Sequence, residues 1–478
     1  MRNANGSGHE QRRQTDGPGK DEVNRMNDFR KTAQEMLEFI RISPTCFHAV
    51  ANIGRMLEAA GFQQLQEKEE WKLEKGGRYY TERNDSSVIA FVIPEKEVGI
   101  RGFHMAAAHS DSPCFKIKEK PELTVEEHYL RLNTEKYGGM ILSTWLDRPL
   151  SVAGRLAVKN GNGIEGRLVN IDRDLCVIPN VAIHMNREMN KGVEYNPQVD
   201  LLPLLADVSF DEYDAHTTYD AQTASENAEE QPEAVEKPTL VALAAEAAGV
   251  DAETILGEDL FLYTRQEGKM IGAKGEFVLS PRLDDLQSAF ALTKAFTEST
   301  PAEYINLCAV FDNEEVGSGT RQGADSTFLE DTLQRITEGL QEGHSTYLRW
   351  VADSFLISAD NAHAVHPNHP EKADPTNRPY LNGGIVIKYH GSQKYTTDGI
   401  SAARMKDYCE RAKVPYQTYA NRSDIAGGST LGNISTAHVS VSSVDIGLPQ
   451  LAMHSAVETA GMKDTEYAVR ALKEFWGE

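Results

Sequence analysis

Hydrophobic and polar positions divide this chain into two alternating textures. From residue 32 to about 61, apolar residues recur at helical spacing: Met36, Phe39 and Ile40, then Ile53, Met56 and Leu57. Ser43-Pro44-Thr45 interrupts them and predicts a break between two helices. Short continuous apolar runs follow. Val88-Ile89-Ala90-Phe91-Val92-Ile93 is one, and residues 102–108, leading into His109, are another. Residues 304–311, 355–358, 384–388 and 439–441 repeat the pattern. Runs of this kind, apolar on both faces, predict buried strands of a mostly parallel sheet. Pro281 opens a predicted helix with Leu283, Leu286, Phe290 and Phe296 on a buried side, and residues 465–476 form an amphipathic one with Ala468, Leu472, Phe475 and Trp476 inward.

Residues 116–205 read differently. Short β-like runs alternate with turns, as in Asn160-Gly161-Asn162-Gly163 between residues 155–158 and 166–171. A helix over 240–248 and a strand over 259–263 close this stretch. The pattern predicts an α/β fold, with a mixed, mostly parallel sheet flanked by helices and a separate β-rich domain inserted in it. The expected division is 26–115 plus 270–478 for the main domain and 116–269 for the insertion. Residues 1–25 are polar and expected to be a disordered extension, with Met26 as an alternative start. Residues 211–238, acidic and poor in large apolar residues, are expected to be a flexible insertion.

Composition narrows the partners. Lys and Arg number 49 against 72 Asp and Glu, so the net charge is 49 − 72 = −23. That excess disfavours nucleic acid and anionic membrane as partners. No apolar run approaches a membrane span, and the N-terminus lacks an apolar signal core, so the cytoplasm is the expected location. The five cysteines, Cys46, Cys114, Cys176, Cys308 and Cys409, form no CxxC pair and are expected to be reduced.

The chemistry concentrates where apolar runs end. Asp312-Asn313-Glu314-Glu315-Val316-Gly317-Ser318 directly follows the run at 304–311. Two adjacent carboxylates at a strand mouth point different ways, so one can bind a metal while the other faces an activated water. His109-Ser110-Asp111-Ser112-Pro113 offers an imidazole ligand and a carboxylate able to orient it, although His-x-Asp by itself more often marks a loop histidine. In Ser280-Pro281-Arg282-Leu283-Asp284-Asp285 an acid at a helix start also serves as a cap. Ser358-Ala359-Asp360, followed by His363, His366 and His369, and Met453-His454-Ser455 complete the set. Their joint placement at strand ends and helix starts converges on the carboxyl edge of a parallel sheet. Oxygen and imidazole donors suit zinc, manganese or cobalt, and five ligands suit two metals sharing a bridge.

With Pro281-Arg282-Leu283-Asp284 and His363-Ala364-Val365-His366-Pro367-Asn368, these motifs resemble, in order, those of the aspartyl aminopeptidase (M18) family of metallopeptidases. The likeness runs from about residue 30 to the C-terminus and leaves out 1–25 and 211–238. It implies a zinc-peptidase-like fold and two divalent metals per subunit, zinc first and cobalt or manganese next. Asp284 would bridge them. His109 and Asp360 would complete one site, Glu315 and His454 the other. Glu314 would be the general base, with Asp111 supporting His109. His184, in the inserted domain, would reach a neighbouring subunit's active site, and His363, Lys388 and Tyr395 would lie near the substrate. The substrates implied are peptides with a free N-terminal Asp or Glu. The insertion would serve assembly into a homo-oligomer, a dodecamer in the family.

An acidic preference needs local cations, for which Lys388, Lys394 and Arg404 are candidates with His363 and His366 as helpers. Some relatives prefer neutral residues, so Leu-like specificity stays open beside the acidic one. A deacylase on the same architecture and a metal-free scaffold are the remaining alternatives.

Overall fold

The structure, a computed structural model, describes residues 20–95, 99–208, 239–428 and 430–478. The expected flexible segment 211–238 and most of the expected extension lie outside the described residues. One boundary moves: the first helix spans Lys20–Arg41, so residues 20–25 are helical rather than part of a disordered tail. A second helix, Cys46–Ala59, follows the predicted break.

A nine-stranded sheet forms the centre. Its middle strands, Ile305–Phe311, Phe103–His109, Phe355–Ala359 and Ser442–Gly447, are mutually parallel neighbours, while antiparallel pairs appear toward both edges. Alternation within each strand feeds two cores. On one face Ala106, Ala108, Cys308, Val310, Ile357 and Ala359 pack under helices Leu283–Thr297 and Asp464–Trp476. On the other Phe103, Met105, Leu307 and Phe311 meet helices Phe328–Gly339 and His344–Ala352. Double-sided burial explains why these strands read as continuous apolar runs. The expected strand at 439–441 is displaced. Val439 follows the helix Leu431–His438, and the strand is Ser442–Gly447, whose buried Asp445 hides it from an apolar search.

The segment between Cys114 and Thr264 forms a six-stranded antiparallel sheet with its own core, including Phe115, Trp145, Val152, Leu156 and Leu262. One of its hairpins pairs Leu150–Asn160 with Gly163–Asn170. A third sheet, of five strands, was not anticipated. It joins Lys269–Ile271, Phe277–Ser280, Glu458–Gly461, Pro449–Leu451 and Ala362–His363. Strands of two to four residues carry no readable period, yet this sheet delivers Asp284, His363 and His454 to one place. No helix among the described residues is long and apolar enough to cross a membrane. All five cysteines are free thiols.

Candidate metal centre

Register explains why distant residues meet. Phe311 pairs with His109, so the turn Glu314–Val316 leaves the sheet beside His109. The next strand on the other side of Phe103–His109 ends at Ala359 and presents Asp360. Ser280 pairs with Glu458 in the small sheet, which sets Asp284 above the loop that carries His454. Arg282 takes a left-handed backbone, the Asp284–Asp285 peptide is cis, and both acids depart from helical angles. With both acids at non-helical angles, the helix that follows Pro281 becomes regular only after Asp285, and both carboxylates turn off its end into the site.

His109 and His454 approach opposite oxygens of one carboxylate. His109 Nε2 is 3.5 Å from Asp284 Oδ1, and His454 Nε2 is 3.3 Å from Asp284 Oδ2 and 3.4 Å from Glu315 Oε1. Donor atoms of His109, Asp284, Asp285 and Asp360 cluster within 4.8 Å of one another, as do those of Asp284, Glu315 and His454. His109, Glu314 and Glu315 form a third such group. Asp284 Oδ1, Asp285 Oδ1 and Glu315 Oε1 are buried and have no hydrogen-bond partner among the described residues. Unpaired buried carboxylate oxygens are costly, and facing two imidazole nitrogens they form a donor set that fits divalent cations.

The candidate ligands His109, His454 and Asp284 are held from behind. His109 Nδ1 lies 3.0 Å from the Asp111 carbonyl, and its backbone N–H donates to Asp285 Oδ2 at 3.2 Å. The Nδ1 of His454 lies 2.6 Å from the Gly139 carbonyl, which leaves Nε2 toward the cluster. The buried carboxylate of Glu458 accepts from the His454 N–H at 2.7 Å and the Asp284 N–H at 3.0 Å. The Asp111 carboxylate does something the sequence did not suggest. It stands 3.4 Å from His109 Nδ1, but it accepts the backbone N–H groups of Glu314 and Glu315, at 3.1 and 3.2 Å. It thus pins the turn that bears both glutamates.

Negative charge is crowded here. Burial pushes Glu314 up to about 7; His109 opposes this, and the charges of Asp360, Asp111 and Asp284 add to it. Burial, reinforced by Asp284, raises Glu315, and burial with Asp360 and Asp284 raises Asp285. Asp284 goes the other way: burial would raise it, but the two histidines outweigh burial and hold it low. A bound cation reverses such shifts by favouring the ionised carboxylates.

A cavity of about 310 Å³ opens over the cluster and is also lined by His363, Lys388, Tyr395 and Tyr419. Lys388 is buried, with Nζ 3.4 Å from Asp360 Oδ2 and 5.4 Å from the centre of the Tyr395 ring. Gly447 makes room for it: a Cβ there would stand 2.9 Å from Lys388 Cε. Lys394 instead donates to the Gly427 carbonyl at 2.9 Å, and Arg404 lies against the Phe355 ring at 5.2 Å; neither lines the cavity. His184 is exposed and does not line it either. Sequence reading gave no role to Asp285, Glu458, Tyr137 or Gly139. The tandem acids Asp284-Asp285 were the one available signal, since the other three act through contacts made only in the fold.

Known proteins share this arrangement of sequence. A family model described as Aminopeptidase I zinc metalloprotease (M18) matches residues 39–476. A probable M18 family aminopeptidase 2 from Clostridium novyi (strain NT) is 46% identical over 448 residues, which is 93% of this chain and 98% of the relative. Among solved structures, the cryo-EM structure of the Ape4 and Nbr1 complex matches with a TM-score of 0.86 at 36% identity, covering 95% of this chain and 86% of that one. The structure of the S. cerevisiae mApe1 dodecamer matches with a TM-score of 0.77 at 25% identity, covering 94% and 97%. A likeness that spans every strand end bearing a candidate ligand makes the chain a member of the M18 family of aminopeptidases, whose chemistry is that of zinc metalloproteases.

Proposed function

We propose that this metalloaminopeptidase binds two divalent cations, zinc by preference, and removes N-terminal acidic residues from peptides with Glu314 as general base. The observation that carries the two-cation reading is the placement of His109 Nε2 and His454 Nε2 on opposite oxygens of Asp284, at 3.5 and 3.3 Å. His109, Asp360 and Asp284 would hold one cation; Asp284, Glu315 and His454 the other. Bound there, the cations would supply Lewis acidity toward the scissile carbonyl and toward water.

The chain's own groups do the rest. The Glu314 carboxylate makes no hydrogen bond among the described residues and faces the cavity, so it is free to take a proton from water and return it to the departing amine nitrogen. His363, Lys388 and Tyr395, which line the same cavity, would orient the substrate's first residue. The Lys388 ammonium is the cation that would meet an acidic side chain once Asp360 serves a metal.

That same Lys388–Asp360 contact favours a second reading. A lysine already spent on Asp360 leaves the cavity without net positive charge, which suits a neutral, Leu-like residue. Hydrolysis of Asp-, Glu- and Leu-anilides side by side, with chelation and metal add-back, separates the two. Faster turnover of Asp and Glu supports the acidic reading, and faster Leu supports the neutral one.

Residues 26–115 with 270–478 would form the catalytic unit, and 116–269 an assembly domain. The separate core of the six-stranded sheet supports this division. The dodecamer of the S. cerevisiae relative supports a homo-oligomer here, in which exposed His184 would complete a neighbour's site. Light scattering of the purified protein tests the assembly, and His184→Ala tests the contribution across subunits.

A further inference from the structure

The inserted sheet reaches into the metal centre. Its strand Tyr129–Tyr137 ends with the Tyr137 hydroxyl donating to Asp111 Oδ2 at 2.7 Å and accepting from Asn313 Nδ2 at 2.9 Å. The ring is fixed edge-on against Phe261, also of the inserted sheet, with centroids 5.6 Å apart. Directly after it, Gly138 packs against Glu315; a Cβ at Gly138 would lie 3.2 Å from Glu315 Cβ. The Gly139 carbonyl faces His454 Nδ1, and the Ile141 N–H donates to the His454 carbonyl at 2.9 Å.

We propose that Tyr137 is a positioning residue for the peptidase reaction: its hydroxyl fixes the Asp111 carboxylate so that Asp111 seats the Glu314-Glu315 turn. The inference rests on the reading of Glu314 as base. Asp111 is buried and its carboxylate has three protein donors: the N–H groups of Glu314 and Glu315, and Tyr137. Hydrogen bonds to a carboxylate are strong and directional. Without the hydroxyl, Asp111 Oδ2 is free to rotate away from the Glu315 N–H, and the Asn313 amide loses its acceptor. Small misplacements of a catalytic group are costly in rate, about a hundredfold for 1 Å. Substrate binding at Lys388 and Tyr395, which line the cavity while Tyr137 does not, is untouched.

Tyr137→Phe deletes the hydroxyl and keeps the ring on Phe261. The expected result is a loss in kcat of about tenfold or more, with KM, bound metal per subunit and melting temperature close to wild type. A double-mutant cycle with Asp111→Asn gives the second readout. If Tyr137 acts through Asp111, removing the hydroxyl in the Asp111→Asn background costs little more. Unchanged kcat in folded Tyr137→Phe, a loss in proportion to lost metal, or full additivity in the cycle overturns the proposal. Should Tyr137→Phe fail to fold, Asp111→Asn alone carries the test: full kcat there overturns it, and a kcat-selective loss with metal retained supports it. The base assignment fails separately. An active Glu314→Gln would remove it, whereas an inactive Glu314→Gln beside a fully active Tyr137→Phe removes only the role of Tyr137.

Discussion

His454 meets Asp284 through the imidazole Nε2, 3.3 Å from Oδ2, while the Glu458 carboxylate holds the backbone N–H groups of both residues. The two are brought together by register in a sheet of very short strands, and Glu458 locks that register from below. The same closeness sets the outcomes expected of substitutions.

Under the proposed reading the paired glutamates would divide two tasks. Glu314→Gln should retain metal and lose turnover by roughly 10²–10⁴. Glu315→Gln should lose bound metal along with activity, because Glu315 Oε1 is one of the buried oxygens left for a cation. Metal analysis beside steady-state kinetics checks both. Equal metal loss in the two variants would contradict the division.

Glu458 does not line the cavity over the cluster, yet it should control metal retention. An amide in Glu458→Gln presents N–H toward one of two N–H donors, so one hydrogen bond is replaced by repulsion. Supporting groups of this kind are worth about 10–100-fold in metal affinity. Competition against a chelator should show that drop, with activity recovering in excess zinc. Wild-type affinity in the variant would mean the two hydrogen bonds are incidental.

Stability should fall in acid, and His104 should contribute. The imidazole stacks between Tyr304 and Phe475, with centroids at 3.7 and 4.6 Å, and burial pushes its pKa down to about 4. Its stabilisation is complete above the ordinary value near 6.5 and is lost as pH falls from there toward 4, because the unfolded chain binds the proton first. The slope is about 1.4 kcal/mol per pH unit for one such group. Urea midpoints at pH 7 and pH 5 should therefore differ less in His104→Phe than in wild type. Parallel pH dependence in the two proteins would refute this.

Gly447 should tolerate no side chain. Its Cβ would fall 2.3 Å from the Asp360 carbonyl oxygen and 2.9 Å from Lys388 Cε, so Gly447→Ala must displace both. Overpacking of this order costs about 1–3 kcal/mol. Denaturant unfolding together with kcat/KM should register lower stability and lower activity. A variant with wild-type values in both would show that the strand yields freely.

The parts of the fold legible in the sequence are those where burial is two-sided. Residues 305–311 and 103–109 are mainly apolar, with Asn306 and His104 the polar exceptions before His109, because both faces of the sheet are covered, and their ends mark His109, Glu314 and Glu315. Asp445 interrupts Ser442–Gly447 with a carboxylate that accepts from Thr396 and Thr430, so that strand was misplaced onto 439–441. The small sheet was invisible because its strands are shorter than the period that would reveal them. Tyr137, Gly139 and Glu458 were missed for a related reason: each acts on a residue far away in the chain, and nothing in their neighbours marks the contact. The sequence marked the side chains that gather around Asp284 and left unmarked the groups that position them.

The most direct test is metal content per subunit in the wild type, His109→Ala and His454→Ala, measured on folded protein by elemental analysis. Two cations in the wild type, with one lost in each variant and turnover lost in both, is the predicted result. A wild-type protein that is active yet holds no transition metal, or that keeps both ions when either histidine is removed, would contradict a centre built across Asp284.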